Sequence, residues 1–289
     1  MGTDYKVIQN EKYGFYQISP SPTPEELSAY YNANYYDYGT YTPEYSHNEL
    51  IQKTLPVHEI NYLLKKEKGK ILDIGCGEGF VINEFQKQGW DVTGLDFSHD
   101  GINRHFPHLK DKVIKDDIYK SLETLINDKI KFDVIVCNNV LEHVIDPLSF
   151  LGRFKSLCHK DTVIRIQVPN DFSWVQAALK KDGMIKNDYW VGPPAHLSYF
   201  NNKSFRNVLE SFGYEVMHLL GDFPIELFLM NEKSSYNQDK DLGPSAHKAR
   251  LYFDVNLFKS SIENFIAFRR GCGESGVCRN LIAYCKIKL

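Results

Sequence analysis

Between residues 68 and 220, short apolar runs alternate with segments whose apolar residues recur every three or four positions. The runs at 70–74, 91–95, 112–114, 132–137 and 162–168 have strand length and are rich in Val, Ile and Leu. The segments between them, at 78–88, 100–106, 119–126 and 147–158, have helical spacing. Strands alternating with helices predict a parallel sheet covered on both faces. Phe205, Val208, Leu209 and Phe212 keep the helical period until Gly213 ends it. Residues 214–220 then read as a sixth strand, and 281–287 alternate loosely as the last.

The flanking stretches break this rhythm. Thr23-Pro24-Glu25-Glu26 is a helix start, with Thr23 as cap, Pro24 in the first turn and Glu26 completing a capping box. The short helix predicted there runs into a tyrosine-dense stretch: Tyr30, Tyr31, Tyr35, Tyr36, Tyr38, Tyr41 and Tyr45. Each phenol offers a flat apolar face and a hydrogen-bonding tip, which suits either an arm packed on the domain or a cap over a ligand pocket. A helix follows over 48–66, with Leu50, Ile51, Leu55, Ile60 and Leu63 inward. Residues 222–279 interrupt the last two strands, with a polar loop at 231–250 and a helix at 251–269. The expected organisation is a cap arm, 1–45, and one α/β domain, 46–289.

Composition narrows the class. The chain has 289 residues, 43% hydrophobic and 25% charged, with a formal net charge of −3, so nothing in its charge favours nucleic acid or an anionic membrane surface. No apolar run reaches the roughly 18 residues of a membrane helix, and the first ten residues lack the apolar core of a signal peptide. Six dispersed cysteines, without C-x-x-C spacing at Cys272, Cys278 and Cys285, read as reduced thiols in a cytoplasmic protein rather than as metal ligands. No metal site is expected.

Candidate chemistry falls at the carboxyl ends of successive strands, where open α/β sheets bind ligands. The first strand breaks into Asp73-Ile74-Gly75-Cys76-Gly77-Glu78-Gly79-Phe80. Its glycines alternate as G-x-G-x-G, whereas a dinucleotide fingerprint needs G-x-G-x-x-G and position 80 is Phe. A carboxylate inside the strand end, Asp73, suits a cationic ligand better than a pyrophosphate. Asp96 ends the second strand, where it can accept from a ribose diol. Asp116-Asp117-Ile118 follows the third, where a carboxylate can accept from an adenine amino group. The fourth runs into Asn138-Asn139-Val140-Leu141-Glu142-His143. Alone, Asp96 reads equally well as a helix cap, and Asp116 or Asp117 as a turn residue; the four features in this order are hard to explain by packing.

These motifs resemble those of the class I S-adenosylmethionine-dependent methyltransferases, and within them the branch holding ubiquinone-biosynthesis and sugar-modifying enzymes. LDIGCGEG resembles that family's first motif, GLDFS its second, and the strand ending in NNVLEHV its fourth. The resemblance covers roughly residues 70–220. It implies a Rossmann-like, doubly wound, mostly parallel sheet of seven strands with the last antiparallel, and S-adenosylmethionine as cofactor. It also implies that Asp73, Gly75, Cys76 and Gly77 line the methionine end, that Asp96 and Phe97 meet the ribose side, that Asp117 and Ile118 flank adenine, and that Asn138 lies beside the methionyl group. The insertion departs from the family pattern.

The expected activity is methyl transfer to a small-molecule acceptor. A sugar or nucleotide-sugar hydroxyl is the first reading, since the tyrosine arm and insertion resemble enzymes of surface polysaccharide synthesis, and a quinol, phenol or other small metabolite is the second. A hydroxyl acceptor must lose its proton. Two candidate bases are His143, just past the fourth strand, and His196, in a Pro193-Pro194-Ala195-His196-Leu197-Ser198-Tyr199-Phe200 segment resembling the H-x-x-(Y/F)-F stretch of small-molecule members. A lone histidine is more often structural than catalytic. Tyr189, Trp190 and the loop from Pro169 to Phe172 are further candidates for acceptor contact. Two other classes stay open: a dinucleotide-dependent oxidoreductase or epimerase, and a non-catalytic binder of the cofactor.

Overall fold

The structure, a computed structural model, describes residues 5–34 and 44–288. Along the chain the elements are β1 (Lys6–Gln9), β2 (Tyr16–Ser19), α1 (Pro24–Asn34), α2 (His47–Leu64), β3 (Lys70–Ile74), α3 (Phe80–Lys87), β4 (Asp91–Asp96), α4 (Asp100–His105), β5 (Val113–Lys115), α5 (Ile118–Asn127), β6 (Phe132–Asn138), α6 (Pro147–Phe154), β7 (Cys158–Pro169), α7 (Trp174–Lys181), β8 (Ser198–Tyr199), α8 (Asn202–Ser211), β9 (Tyr214–Gly221), α9 (Gly243–Ser260), α10 (Ile262–Ser275) and β10 (Asn280–Ile287).

Seven strands form one sheet in the order β5-β4-β3-β6-β7-β10-β9. The pairs among β3, β4, β5, β6 and β7 are parallel, and β10 runs antiparallel to both β7 and β9. The strand order reverses between β3 and β6, so their carboxyl ends open a crevice there. Successive side chains alternate between faces. Leu72, Ile74, Ile135, Cys137 and Ile164 pack with Phe150, Leu151 and Phe154 of α6. Ile71, Val134, Val136 and Val163 pack with Leu55, Ile82, Phe85 and Phe265 on the other face. Asp73, Asn138 and Arg165 share the parity of this second set and project towards α2, α3 and α10.

Several expectations needed correction. The helix expected at 251–269 is two, α9 and α10, because the Ser261 side chain accepts from the Asn264 amide and starts a new helix. Helix α9 begins at Gly243, inside the stretch expected to be loop. Leu50, expected inward, is exposed, while Glu59 is fully buried. A small antiparallel sheet, β1-β2-β8, was not expected; its strands hold only two to four residues, too few to show a period. Helix α7 was missed despite its signal, a Ser173/Gln176 capping box. The Thr23/Glu26 box is present, with the Thr23 amide donating to Glu26 at 2.8 Å. Of the expected cap arm, Tyr35, Tyr36, Tyr38 and Tyr41 lie outside the described residues. All six cysteines are buried free thiols. No helix among the described residues is long and apolar enough to cross a membrane.

Candidate active site

The glycine loop turns tightly between β3 and α3. The Gly75 and Cys76 amides donate to the Leu95 carbonyl at 2.8 and 3.0 Å, which binds the loop to β4. Gly75, Gly77 and Gly79 all have positive φ, but for different surroundings. A side chain at Gly75 would strike Val140, and one at Gly79 would strike Ile102, whereas one at Gly77 would meet nothing within 4 Å. Gly77 therefore borders open space, and the other two glycines permit close packing. Cys76 does not face that space. Its sulfur lies against Gly94, its carbonyl accepts from Gly79, and its thiol is pushed well up by burial.

Asp96 is 8% exposed. Its Oδ2 accepts from the Gly77 amide at 2.8 Å and its Oδ1 from the Ser98 amide at 3.0 Å, with the Phe97 amide also directed at the carboxylate, whose four lone pairs outnumber these donors. Phe97 beside it is 44% exposed, unusual for so large an apolar ring. Asp73 is 3% exposed and receives no hydrogen bond from the described residues. Burial pushes its carboxyl up to about 7, with Arg165 pulling it down and Asp96 pushing it further up. Asp117 caps α5, its Oδ1 accepting from the Tyr119 and Lys120 amides at 3.0 and 3.1 Å. Ile118 is half-buried against the core. The Asn138 side-chain oxygen accepts from Arg165.

Past β6 the chain turns through Asn139, which has φ +53°, and delivers Glu142 and His143. The Glu142 carbonyl accepts from the Leu197 and Ser198 amides at 2.8 and 3.2 Å, which pins the His196 segment beside His143. The two imidazole rings meet edge to face, with centroids 4.9 Å apart. His143 Nδ1 donates to the Ala195 carbonyl at 2.7 Å and also meets the Tyr31 hydroxyl at 3.1 Å. That assignment leaves the Nε2 lone pair free, 3.8 Å from Glu142 Oε1. Glu142 is 1% exposed; Oε1 accepts from Asn139, and Oε2 has no partner. Burial, then the neighbouring His143 and Arg279, push the His196 imidazole down to about 4, so it is neutral at pH 7. Glu142, His143 and His196 each offer one donor atom within 4.8 Å of the others. A cation could be held there, a set of ligands the sequence reading did not anticipate.

Two tyrosines of the expected cap reach this crevice. Tyr31 touches His143 and lies 6.0 Å from the Phe97 ring. The Tyr45 hydroxyl donates to Glu78 of the glycine loop at 2.7 Å. Other candidates fall away. Asn170 donates to the Gly276 and Cys278 carbonyls, and Asp171 pairs with Arg279 at 2.6 Å, so their loop ties the insertion to the sheet. Trp190 is 6% exposed and belongs to a core cluster.

The sequence profile of a family described as "Methyltransferase domain" matches residues 47–219, more than half of the chain. The chain belongs to the class I methyltransferases. Its sequence is 27% identical over 197 residues to the ubiquinone biosynthesis O-methyltransferase of Pasteurella multocida, covering 58% of this methyltransferase and 81% of that relative. It is 32% identical over 124 residues to the enzyme of the same name from Actinobacillus pleuropneumoniae, where the match spans 38% of this methyltransferase and only 53% of the relative. A solved S-adenosylmethionine-dependent methyltransferase from Archaeoglobus fulgidus shares the fold, with a TM-score of 0.52 at 18% identity, covering 83% and 95% of the two chains. That neighbour is named as dependent on S-adenosylmethionine. The crevice suits it: an unpaired buried carboxylate, a carboxylate with spare lone pairs and open space over Gly77 line up along β3 and β4.

The methyltransferase also contains a buried network that the sequence reading missed. Glu59 of α2 joins Arg165 of β7 at 3.2 Å, Tyr284 of β10 at 2.8 Å, and Arg269 of α10. Arg165 also donates to Asn138 and Gln167. The available signal was Arg165 itself, a charge inside the apolar run Val163-Ile164-Arg165-Ile166.

Proposed function

We propose that this methyltransferase methylates a hydroxyl oxygen of a small phenolic acceptor, with His143 as the base that takes the hydroxyl proton. The observation that carries this reading is the His143 imidazole, held through Nδ1 by the Ala195 carbonyl with Nε2 free. A phenol ionises near 10 and an aliphatic hydroxyl near water's value of about 15.7, so a neutral imidazole removes a phenol's proton far more readily. The aromatic surroundings, Tyr31, Phe97 and His196, suit a flat ring. The curated relatives bear the name of an O-methyltransferase of ubiquinone biosynthesis, which agrees with a ring hydroxyl.

When bound, the cofactor supplies an electrophilic methyl carbon on a sulfonium sulfur. Asp73 lowers the cost of placing positive charge at the loop. Asp96 would accept from the ribose diol, Gly77 would let the ligand approach the backbone, and Asp117 and Ile118 would border the adenine. Phe97 and Tyr31 would confine and orient the acceptor. His143 Nε2 would take the hydroxyl proton as the methyl group is transferred. Glu142 stabilises the imidazolium produced. The products are the methyl ether and S-adenosylhomocysteine.

The test is a panel of catechols, hydroxybenzoates, hexoses and nucleotide-sugars, each incubated with the methyltransferase and S-adenosylmethionine and read by mass spectrometry. Methyl ethers of the phenols are expected. Methylation confined to the sugars overturns the phenolic acceptor and restores the sugar reading drawn from the sequence.

A further inference from the structure

The insertion supplies one wall of a cavity of about 450 Å³ on the α2 side of the sheet. Its lining includes Lys53, Asn138, Arg250, Asp254, Arg269 and Asn280. Most charges there are satisfied by the protein. Lys53 pairs with Glu78, and Arg269 is held by Glu59 and the Gly221 carbonyl. Asp222, also in the wall, accepts twice from Asn280, at 2.7 and 2.6 Å.

Two groups are left over, and both belong to α9. Asp254 is 3% exposed, and its Oδ1 has no hydrogen-bond partner. Arg250 has a buried Nε without a partner, and among the described residues its Nη2 donates only to His247, at 3.0 Å. The two residues are four apart on one helix and so face the same way. A buried carboxylate oxygen and a buried guanidinium nitrogen without hydrogen bonds are costly, although Arg269 and Arg250 lie near enough to Asp254 to favour its charged form. A ligand carrying one ammonium and one carboxylate on the same carbon satisfies both.

The cofactor has such a group at its methionine end. The cavity reaches Asn138, the last residue of β6, and Val81, in the first turn of α3 after the glycine loop. It therefore adjoins the cofactor crevice, while His143 and His196 stand beyond the turn that follows β6. We propose that Asp254 and Arg250 bind the α-ammonium and α-carboxylate of S-adenosylmethionine, so that the insertion closes over the amino-acid end of the cofactor. This rests on the cofactor reading and extends it to residues outside the shared motifs.

The experiment compares two ligands by calorimetry: S-adenosylhomocysteine, and 5′-methylthioadenosine, which keeps the nucleoside and lacks the amino-acid group. In Asp254→Asn, affinity for S-adenosylhomocysteine is expected to fall about tenfold, the scale of one charged hydrogen bond. Affinity for 5′-methylthioadenosine should stay within about twofold, which also reports that the variant is folded. If Asp254→Asn lacks the wild type's cooperative thermal unfolding, Arg250→Gln provides the same comparison. Equal losses for both ligands, no loss for either, or a raised acceptor KM with unchanged S-adenosylhomocysteine affinity each overturn the proposal. Failure of the wild-type protein to bind S-adenosylhomocysteine overturns the cofactor reading instead.

Discussion

At the residue scale, the site depends on carboxylates whose surroundings differ. Asp96 accepts two backbone hydrogen bonds and keeps lone pairs for a ligand. Asp117 spends one oxygen on capping α5. The sequence could not separate these roles, because both residues follow a strand and precede a helix. Asp96→Ala should weaken S-adenosylhomocysteine binding by about 1–3 kcal/mol through lost charged hydrogen bonds, measured by calorimetry. Asp117→Ala should act mainly on α5, by about 1 kcal/mol of stability. Equal affinities for the wild type and Asp96→Ala would remove Asp96 from the ribose site.

At the element scale, the strand–loop–helix unit from β3 to α3 divides its glycines between packing and binding. An alanine in the left-handed region costs about 1–2 kcal/mol at any of these positions. Gly75→Ala adds overlap with Val140, a further cost of about 1–3 kcal/mol. Gly77→Ala adds none, since its surroundings are open. Denaturant melts should therefore find Gly75→Ala the less stable of the two, and titration should find Gly77→Ala folded but weak in cofactor affinity. The reverse order would mean that the loop packs differently. All seven strands of the main sheet were legible in the sequence because their apolar runs are continuous and bounded by turns. The insertion was less so. Ser261 cuts its helix with a cap rather than with a proline or glycine, and the polar stretch before Gly243 hides the start of α9.

At the scale of the whole molecule, buried charge ties the insertion to the sheet. Burial alone would raise the Glu59 carboxyl, but Arg269 and Arg165 hold it below the usual range. Glu59→Gln leaves two buried guanidinium groups without their shared anion and should cost about 3–5 kcal/mol of stability, read from denaturant midpoints. A loss below about 1 kcal/mol would show that water replaces the carboxylate. The sequence hid this network because its members are far apart along the chain, and Glu59 lies on an otherwise apolar helix face. Asp73 has the opposite sign of linkage. Asp73 is raised to about 7 by burial, so its contribution to stability is complete below its unfolded value of about 3.9 and is lost as pH rises through 7. Without cofactor, Asp73→Asn should gain stability relative to the wild type between about pH 4 and 7. Denaturation series across that window check this, and a constant difference would contradict the buried, unpaired state of Asp73.

The central proposal is that a methyl group passes to a hydroxyl oxygen beside His143. The most direct measurement is a side-by-side assay of wild type and His143→Ala, with S-adenosylmethionine carrying a trideuterated methyl group and a catechol acceptor, in metal-free buffer with a chelator. The account predicts that the wild type places the labelled methyl on oxygen and releases S-adenosylhomocysteine in equal amount. It also predicts that His143→Ala binds S-adenosylhomocysteine normally and turns over about 10²–10⁴-fold more slowly, the usual contribution of a general base. Full turnover in His143→Ala, or label recovered on no acceptor, would contradict it.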